Sequence, residues 1–323
     1  MKAPQWTDAT RALDSAARIL LVTHLQPDGD AIGSLLGFGN ALRARGRTVD
    51  LAVDGGVPDF VEWLTGADTV QSHLNAGEWD VMVSLDSSDE ERSGDCGIYG
   101  RAHSQTVINV DHHPSNTMFG DIHIVVPDAV STTEIVQDWL THMGQPLTLE
   151  IAEPLLVGLV TDTLGFRTSN VNGRTLVLAQ ELIAKGASLP QIVARTLNSK
   201  PYKSIALWKQ VLNSVALDDG LISGTISQAD LEAAGFDETG DSGLVGFLIA
   251  TDEAKVAVVY KERDDGRVEI SLRSKPGYDV SVAAVTLGGG GHKQASGATI
   301  PGPLSTARDR VEPELRAVLA NGA

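Results

Sequence analysis

The chain has 323 residues, 42% of them hydrophobic and 21% charged, a globular composition with enough length for two separate cores rather than a disordered one. Its formal net charge of −17 opposes long polyanions, because nonspecific duplex binding depends on neutralising many phosphates; a long duplex nucleic acid is excluded, and a short anion in a metal-filled cleft is not. The lone Cys96 rules out an internal disulfide and a thiolate zinc cage, and neither a signal pattern nor an apolar run of ~18 residues is present, so a cytoplasmic chain with no membrane span is expected.

Predicted elements alternate through the first half. The apolar run RILLVT (18–23) precedes the helical stretch AIGSLLGFGNALRARG (31–46), which together read as a βα unit. Further strands are expected at 48–53, 80–86 and 106–111, and a helix over 131–143. Such alternation predicts an α/β domain built on a doubly wound parallel sheet. Residues 148–197 read as mostly helical and close this domain. Pro201 and a polar cluster mark a linker at 198–204. The pattern then changes to GLISGTIS, a small helix, the strand pair KVAVVYKER and GRVEISLRS, a glycine-rich segment and a final helix, which predict a smaller α+β domain over 205–323.

Chemistry-bearing residues cluster where these strands end. In THLQPDGDAIGS, His24, Asp28 and Asp30 follow the first strand and precede a helix. Ligands of open parallel sheets bind outside the carboxyl ends of the strands. Capping of the helix explains one aspartate but not three such residues in one loop. The position recurs at Asp86, which ends VMVSLD, and at Asp111, His112 and His113, which end TVINVDHH. Asp162 closes an apolar helical stretch. Carboxylates gathered at one place repel each other, and cations relieve the repulsion. Mixed imidazole and carboxylate donors without thiolate suit Mn²⁺ and admit Mg²⁺, Co²⁺ or Zn²⁺. Farther on, LGGGGHKQASG (287–297) offers backbone N–H groups at Gly290 and Gly291 to an anion, beside His292. Ser131, Thr132 and Thr133 before Glu134 read as a helix cap, and Lys275 and Lys293 as solvated side chains.

In this order and spacing, HLQPDGD, SLD, DHH and TDT resemble the DHH phosphoesterase superfamily over essentially the whole chain. The resemblance implies two divalent ions, with His24 and Asp28 on one, Asp30, His112 and Asp162 on the other, and Asp86 bridging them. It also implies that His113 faces the substrate phosphate, and that Asp111 orients a ligand histidine from behind. One departure is Leu164, which stands where a glycine is expected after the TDT-like motif. The C-terminal segment is similar to the DHHA1 domain of the nanoRNase and phosphoadenosine phosphatase branch. That similarity implies that Arg273 of SLRS and His292 grip phosphate across a cleft. The substrates so implied are oligoribonucleotides of a few residues, linear diadenylate among them, and 3′-phosphoadenosine 5′-phosphate.

Three rivals are weighed against this reading. The glycine-rich C-terminal motif disfavours a pyrophosphatase, and small size with strong acidity disfavours a RecJ-like exonuclease. An intact ligand set disfavours a noncatalytic nucleotide-binding regulator. Substrate preference and oligomeric state stay open, a homodimer included.

Overall fold

The computed structural model describes residues 5–237 and 240–322. The chain divides into two compact units, Met1–Ser199 and Lys200–Ala323.

In the first unit the elements run α1 (Trp6–Ser15), β1 (Arg18–Val22), α2 (Gly29–Ala44), β2 (Thr48–Ala52), β3 (Val70–Gln71), β4 (Trp79–Leu85), α3 (Gly94–Ala102), β5 (Ser104–Asp111) and β6 (Ile122–Val125). Helices α4 (Thr132–His142), α5 (Leu149–Asp162), α6 (Gly173–Ala184) and α7 (Leu189–Thr196) complete it. The six strands form one parallel sheet in the order β3-β2-β1-β4-β5-β6. Parallel strands are covered on both faces, which is why they read as continuous apolar runs. In β1, Ile19 and Leu21 enter a core with residues of α2, α4 and α5. Their neighbours Leu20 and Val22 enter another with Met82, Cys96 and Val107. From β1 the chain steps to β2 on one side, whereas β4 lies on the other. The strand order therefore reverses between β1 and β4, and a crevice is expected outside their carboxyl ends.

Glycines let the helices on one face approach almost to backbone contact. A Cβ on Gly33 of α2 would fall 2.5 Å from the Pro154 carbonyl oxygen and 2.9 Å from the Gly158 nitrogen, both in α5. One on Gly158 would fall 2.3 Å from Thr133 Cγ2 in α4. Helices α2 and α5 thus meet at their backbones, and the Thr133 side chain of α4 packs against the α5 backbone at Gly158, a closeness that any larger side chain at either glycine would prevent.

The second unit contains α8 (Tyr202–Val211), β7 (Ala216–Asp218), β8 (Leu221–Ile226), α9 (Gln228–Ala234), α10 (Leu244–Leu248), β9 (Val256–Glu262), β10 (Arg267–Ser274), α11 (Val280–Thr286), β11 (Gly290–His292), β12 (Ala295–Pro301) and α12 (Leu304–Asn321). Its mixed sheet runs β11-β12-β10-β9-β8-β7, parallel only at β8 and β9. Val256, Val258 and Tyr260 of β9 pack with α11 and α12, while Ala257 and Val259 pack with α8 and α10. This is the α+β pattern expected. Helix α8 begins at Tyr202, inside the 198–204 segment read as a linker. Among the described residues, no helix is long and apolar enough to cross a membrane.

Candidate metal centre

The site grows from the strand ends on either side of the reversal. His24 lies two residues past β1 and is buried. Its Nδ1–H donates to the Leu25 carbonyl at 2.8 Å, which turns Nε2 toward Asp86 Oδ2 at 3.5 Å and Asp28 Oδ1 at 3.9 Å. A fixed tautomer of this kind is what a ligand imidazole needs. Asp28 caps α2, its Oδ1 accepting the N–H groups of Asp30 at 2.9 Å and Ala31 at 3.0 Å, so the capping reading is correct for this residue as far as it goes.

Asp30 caps nothing on its own helix. Its carboxylate, 1% exposed, takes the N–H of Thr132 at 2.6 Å and of Thr133 at 3.0 Å, the first two residues of α4. The positive end of the α4 dipole therefore faces a carboxylate from α2.

Asp86 follows β4 directly, with a left-handed φ of +59° and 2% exposure. Its Oδ1 accepts the Thr132 hydroxyl at 2.9 Å and lies 3.6 Å from His112 Nε2, which is itself 3.6 Å from Asp162 Oδ2. On its other side, His112 Nδ1 faces the Ala129 carbonyl at 3.4 Å. Asp111, fully buried, accepts from His113 Nδ1 at 2.7 Å and from Asn116 Nδ2 at 2.6 Å. Asp111 thus orients His113 rather than His112, whose outer nitrogen meets a backbone carbonyl instead.

These side chains fall into groups whose donor atoms lie within 4.8 Å of one another: His24, Asp28 and Asp86; Asp30, His112 and Asp162; and Asp86, Asp111 and His113. Asp86 aims one oxygen toward His24 and the other toward His112. Hard oxygen and imidazole donors without sulfur form a set that suits divalent cations of the Mn²⁺ or Mg²⁺ kind.

The ionisation pattern has the same cause. Burial disfavours the charged forms of His24, Asp30, Asp86, His112 and Asp162. For His24 that penalty is outweighed by the hydrogen bond and charge of Asp86, and by Asp28, leaving its pKa at about 9. His112 also stands at about 9, burial being overcome by Asp162, Asp86 and Asp30. Burial and then the negative charge of Asp86 raise Asp30 to about 7, and burial raises Asp162 well above its ordinary value. Asp86 moves the opposite way: His24, His112 and His113 overcome its burial and hold it ionised. Without cations, the raised pKa values of His24 and His112 place positive charge beside these carboxylates.

In the second unit Arg273, at the end of β10, is half-buried and donates from Nη1 to the Leu272 carbonyl at 2.9 Å. Burial lowers its pKa, against the opposing charge of Asp241. Gly290, Gly291 and His292 form the edge strand β11, which pairs only with β12. A Cβ on Gly291, at φ +132°, would lie 2.6 Å from the Ala295 carbonyl oxygen, so hairpin packing requires this glycine. Gly290 faces open space. Lys275 is not the solvated side chain expected: its Nζ donates to the Thr251 and Asp252 carbonyls, each at 2.8 Å. Sequence reasoning also missed Thr132, Thr133 and Asn116. Ser131 does cap α4, accepting the Glu134 N–H at 3.1 Å, and that satisfied local pattern concealed the two threonines behind it.

Comparison with known proteins adds independent findings. The profile of the DHH family, N-terminal domain, matches residues 18–159, and that of the DHHA1 domain matches residues 225–320. The bifunctional oligoribonuclease and PAP phosphatase NrnA of Thermus thermophilus is 37% identical over 91% of this chain and 87% of its own length. Its Bacillus subtilis counterpart is 28% identical over 91% of this chain and 93% of its own. Among solved structures, an exopolyphosphatase-related protein from Bacteroides fragilis superposes with a TM-score of 0.87 at 26% identity, covering 97% of this chain and 95% of that one. RecJ of Thermus thermophilus, solved in complex with Mn²⁺, shares the fold at a TM-score of 0.55 and 16% identity, over 98% of this chain and 55% of RecJ.

Proposed function

Because the chain belongs to the DHH phosphoesterase family, with a DHH domain followed by a DHHA1 domain, we propose that it hydrolyses short oligoribonucleotides, linear diadenylate included, to mononucleotides, and 3′-phosphoadenosine 5′-phosphate to AMP. The relatives named as oligoribonuclease and PAP phosphatase support the substrates. The observation that carries the chemistry is Asp86, with one oxygen toward each of two ligand groups.

In this reading His24 and Asp28 hold one divalent ion, Asp30, His112 and Asp162 hold a second, and Asp86 spans both. Mn²⁺ fits the donors best, and Mg²⁺ or Co²⁺ are the alternatives. Bound together, two such ions supply a nucleophile near neutral pH and neutralise charge on the attacking and leaving oxygens. The protein's own part is to orient and to hold charge. Asp111 fixes the His113 ring through Nδ1, and His113 is the residue that meets a phosphate oxygen of the substrate. Arg273, His292 and the backbone of Gly290 and Gly291 take a phosphate of the short substrate. Residues 1–197 are thereby the catalytic domain and 205–323 the substrate-binding one.

A substrate panel tests the reading. With Mn²⁺ present, a ribodinucleotide and the bisphosphate nucleotide should turn over. Pyrophosphate should not, and kcat/KM should fall steeply from a pentanucleotide to a strand of about twenty at one fixed ionic strength. A rate that holds or rises toward the longest strand would favour a RecJ-like exonuclease instead.

A further inference from the structure

We propose that Thr132 is the positioning residue for the bridging carboxylate: its hydroxyl fixes the direction of the Asp86 side chain, and so the spacing at which the two ligand groups share it. The proposal rests on reading Asp86 as the bridge. Thr132 is fully buried, so its hydroxyl has no bulk water to turn to, and it donates to Asp86 Oδ1 at 2.9 Å. The backbone N–H of the same residue donates to Asp30 Oδ2 at 2.6 Å.

One residue thus touches a member of the second ligand group and the carboxylate shared by both. It does so from the first position of α4, where N–H groups have no partner within the helix. The branched Cβ restricts the side chain to few rotamers, so the hydroxyl is presented at a set angle. Asp86 needs such a partner. Its backbone lies in the left-handed region at φ +59°, and its nearest imidazoles stand at 3.5, 3.6 and 3.7 Å, farther away than the Thr132 hydroxyl at 2.9 Å. A hydroxyl that only satisfied its own hydrogen bond could be exchanged for a methyl group at no cost to the metals.

Thr132→Val separates these roles, because it keeps the shape and the N–H to Asp30 and removes only the hydroxyl. Mn²⁺ binding to chelated full-length protein is followed by calorimetry, and the pair by the electron paramagnetic resonance signal of spin-coupled manganese. The valine variant should bind at least one ion about 10–100-fold more weakly, lose the coupled signal at limiting Mn²⁺ and lose kcat with KM for a ribodinucleotide unchanged. Thr132→Ser should stay within about threefold of the parent. Thr132→Ala, which also lacks the hydroxyl, replaces the valine variant if that one does not fold, with the same loss expected. Wild-type affinity and coupling in the valine variant would overturn the proposal, as would a serine variant as impaired as the valine one. Asp86→Asn run alongside tells the two readings apart. If it keeps two coupled ions, the bridge itself is wrong. If it loses them while Thr132→Val does not, only the positioning role falls.

Discussion

The carboxylates packed against them hold His24 and His112 at about 9, and burial followed by the charge of Asp86 holds Asp30 at about 7, so near pH 7 the metal-free site carries protons that incoming cations must displace. A group whose pKa is raised in the metal-free fold keeps its proton below that value, and raising the pH strips it. Metal affinity should therefore climb as pH rises from 6 to 9, and binding at pH 7 should release protons. Calorimetry in two buffers of different ionisation heat measures that release, and identical apparent heats in both would show that the ligands were already deprotonated. Single residues were legible in the sequence when the residue type betrayed its chemistry. Histidines and aspartates crowding a strand end have few other uses. Thr132 was not legible, because its partners Asp30 and Asp86 lie far away in sequence and nothing local marks them. The loop after Asp162 lies between these cases. Leu164, standing where a glycine was expected, does adopt a left-handed φ of +50°, followed by Gly165 at +74° and Phe166 at +65°. The backbone keeps a shape that glycine would take without strain.

At the scale of elements, the parallel strands were readable because burial on both faces makes them continuous apolar runs. The pieces that escaped lacked that signal: β3 has two residues, β6 has four, and α3 is interrupted by glycines at 94, 97 and 100. Helix α1 went unread in a stretch where only Ala9 and Leu13 are buried. The near contact of α2 with α5 was equally hidden, since a glycine in a helix does not say what it faces. Gly33 faces the Pro154 carbonyl and the Gly158 nitrogen, main-chain atoms that cannot rotate aside. Gly33→Ala should push the helices apart, at a cost of about 1–3 kcal/mol in stability. It should also weaken metal binding, because Asp30 rides on α2, one turn before Gly33. Gly173→Ala is the control: it sits at the start of α6 with open space around its Cβ position and should be neutral or stabilising by about 0.5 kcal/mol. Denaturant midpoints at unchanged slope compare the two, and equal midpoints would mean that the α2–α5 contact is looser than its glycines imply.

At the scale of the whole molecule, the negative charge and the cluster of acidic ligands fit together. A chain of net charge −17 has little attraction for a long polyanion, and under the proposed function its carboxylates would become an anion-binding site once cations fill them. Function should therefore vanish with the metals, while the apolar cores inside each unit remain. The two-unit organisation was readable from the change of pattern near Pro201, whereas the length of the helix that follows was not, because Tyr202–Ser204 read locally as polar linker. The most direct test is the rate of ribodinucleotide hydrolysis as Mn²⁺ is titrated back into chelated protein, wild type beside Asp86→Asn. The metal-free wild type should be inactive and recover with added Mn²⁺, and the asparagine variant should stay below a tenth of the recovered rate, a loss of more than about 1.4 kcal/mol in transition-state stabilisation. Full turnover without metal, or an asparagine variant above that tenth, would contradict a metal pair bridged by Asp86.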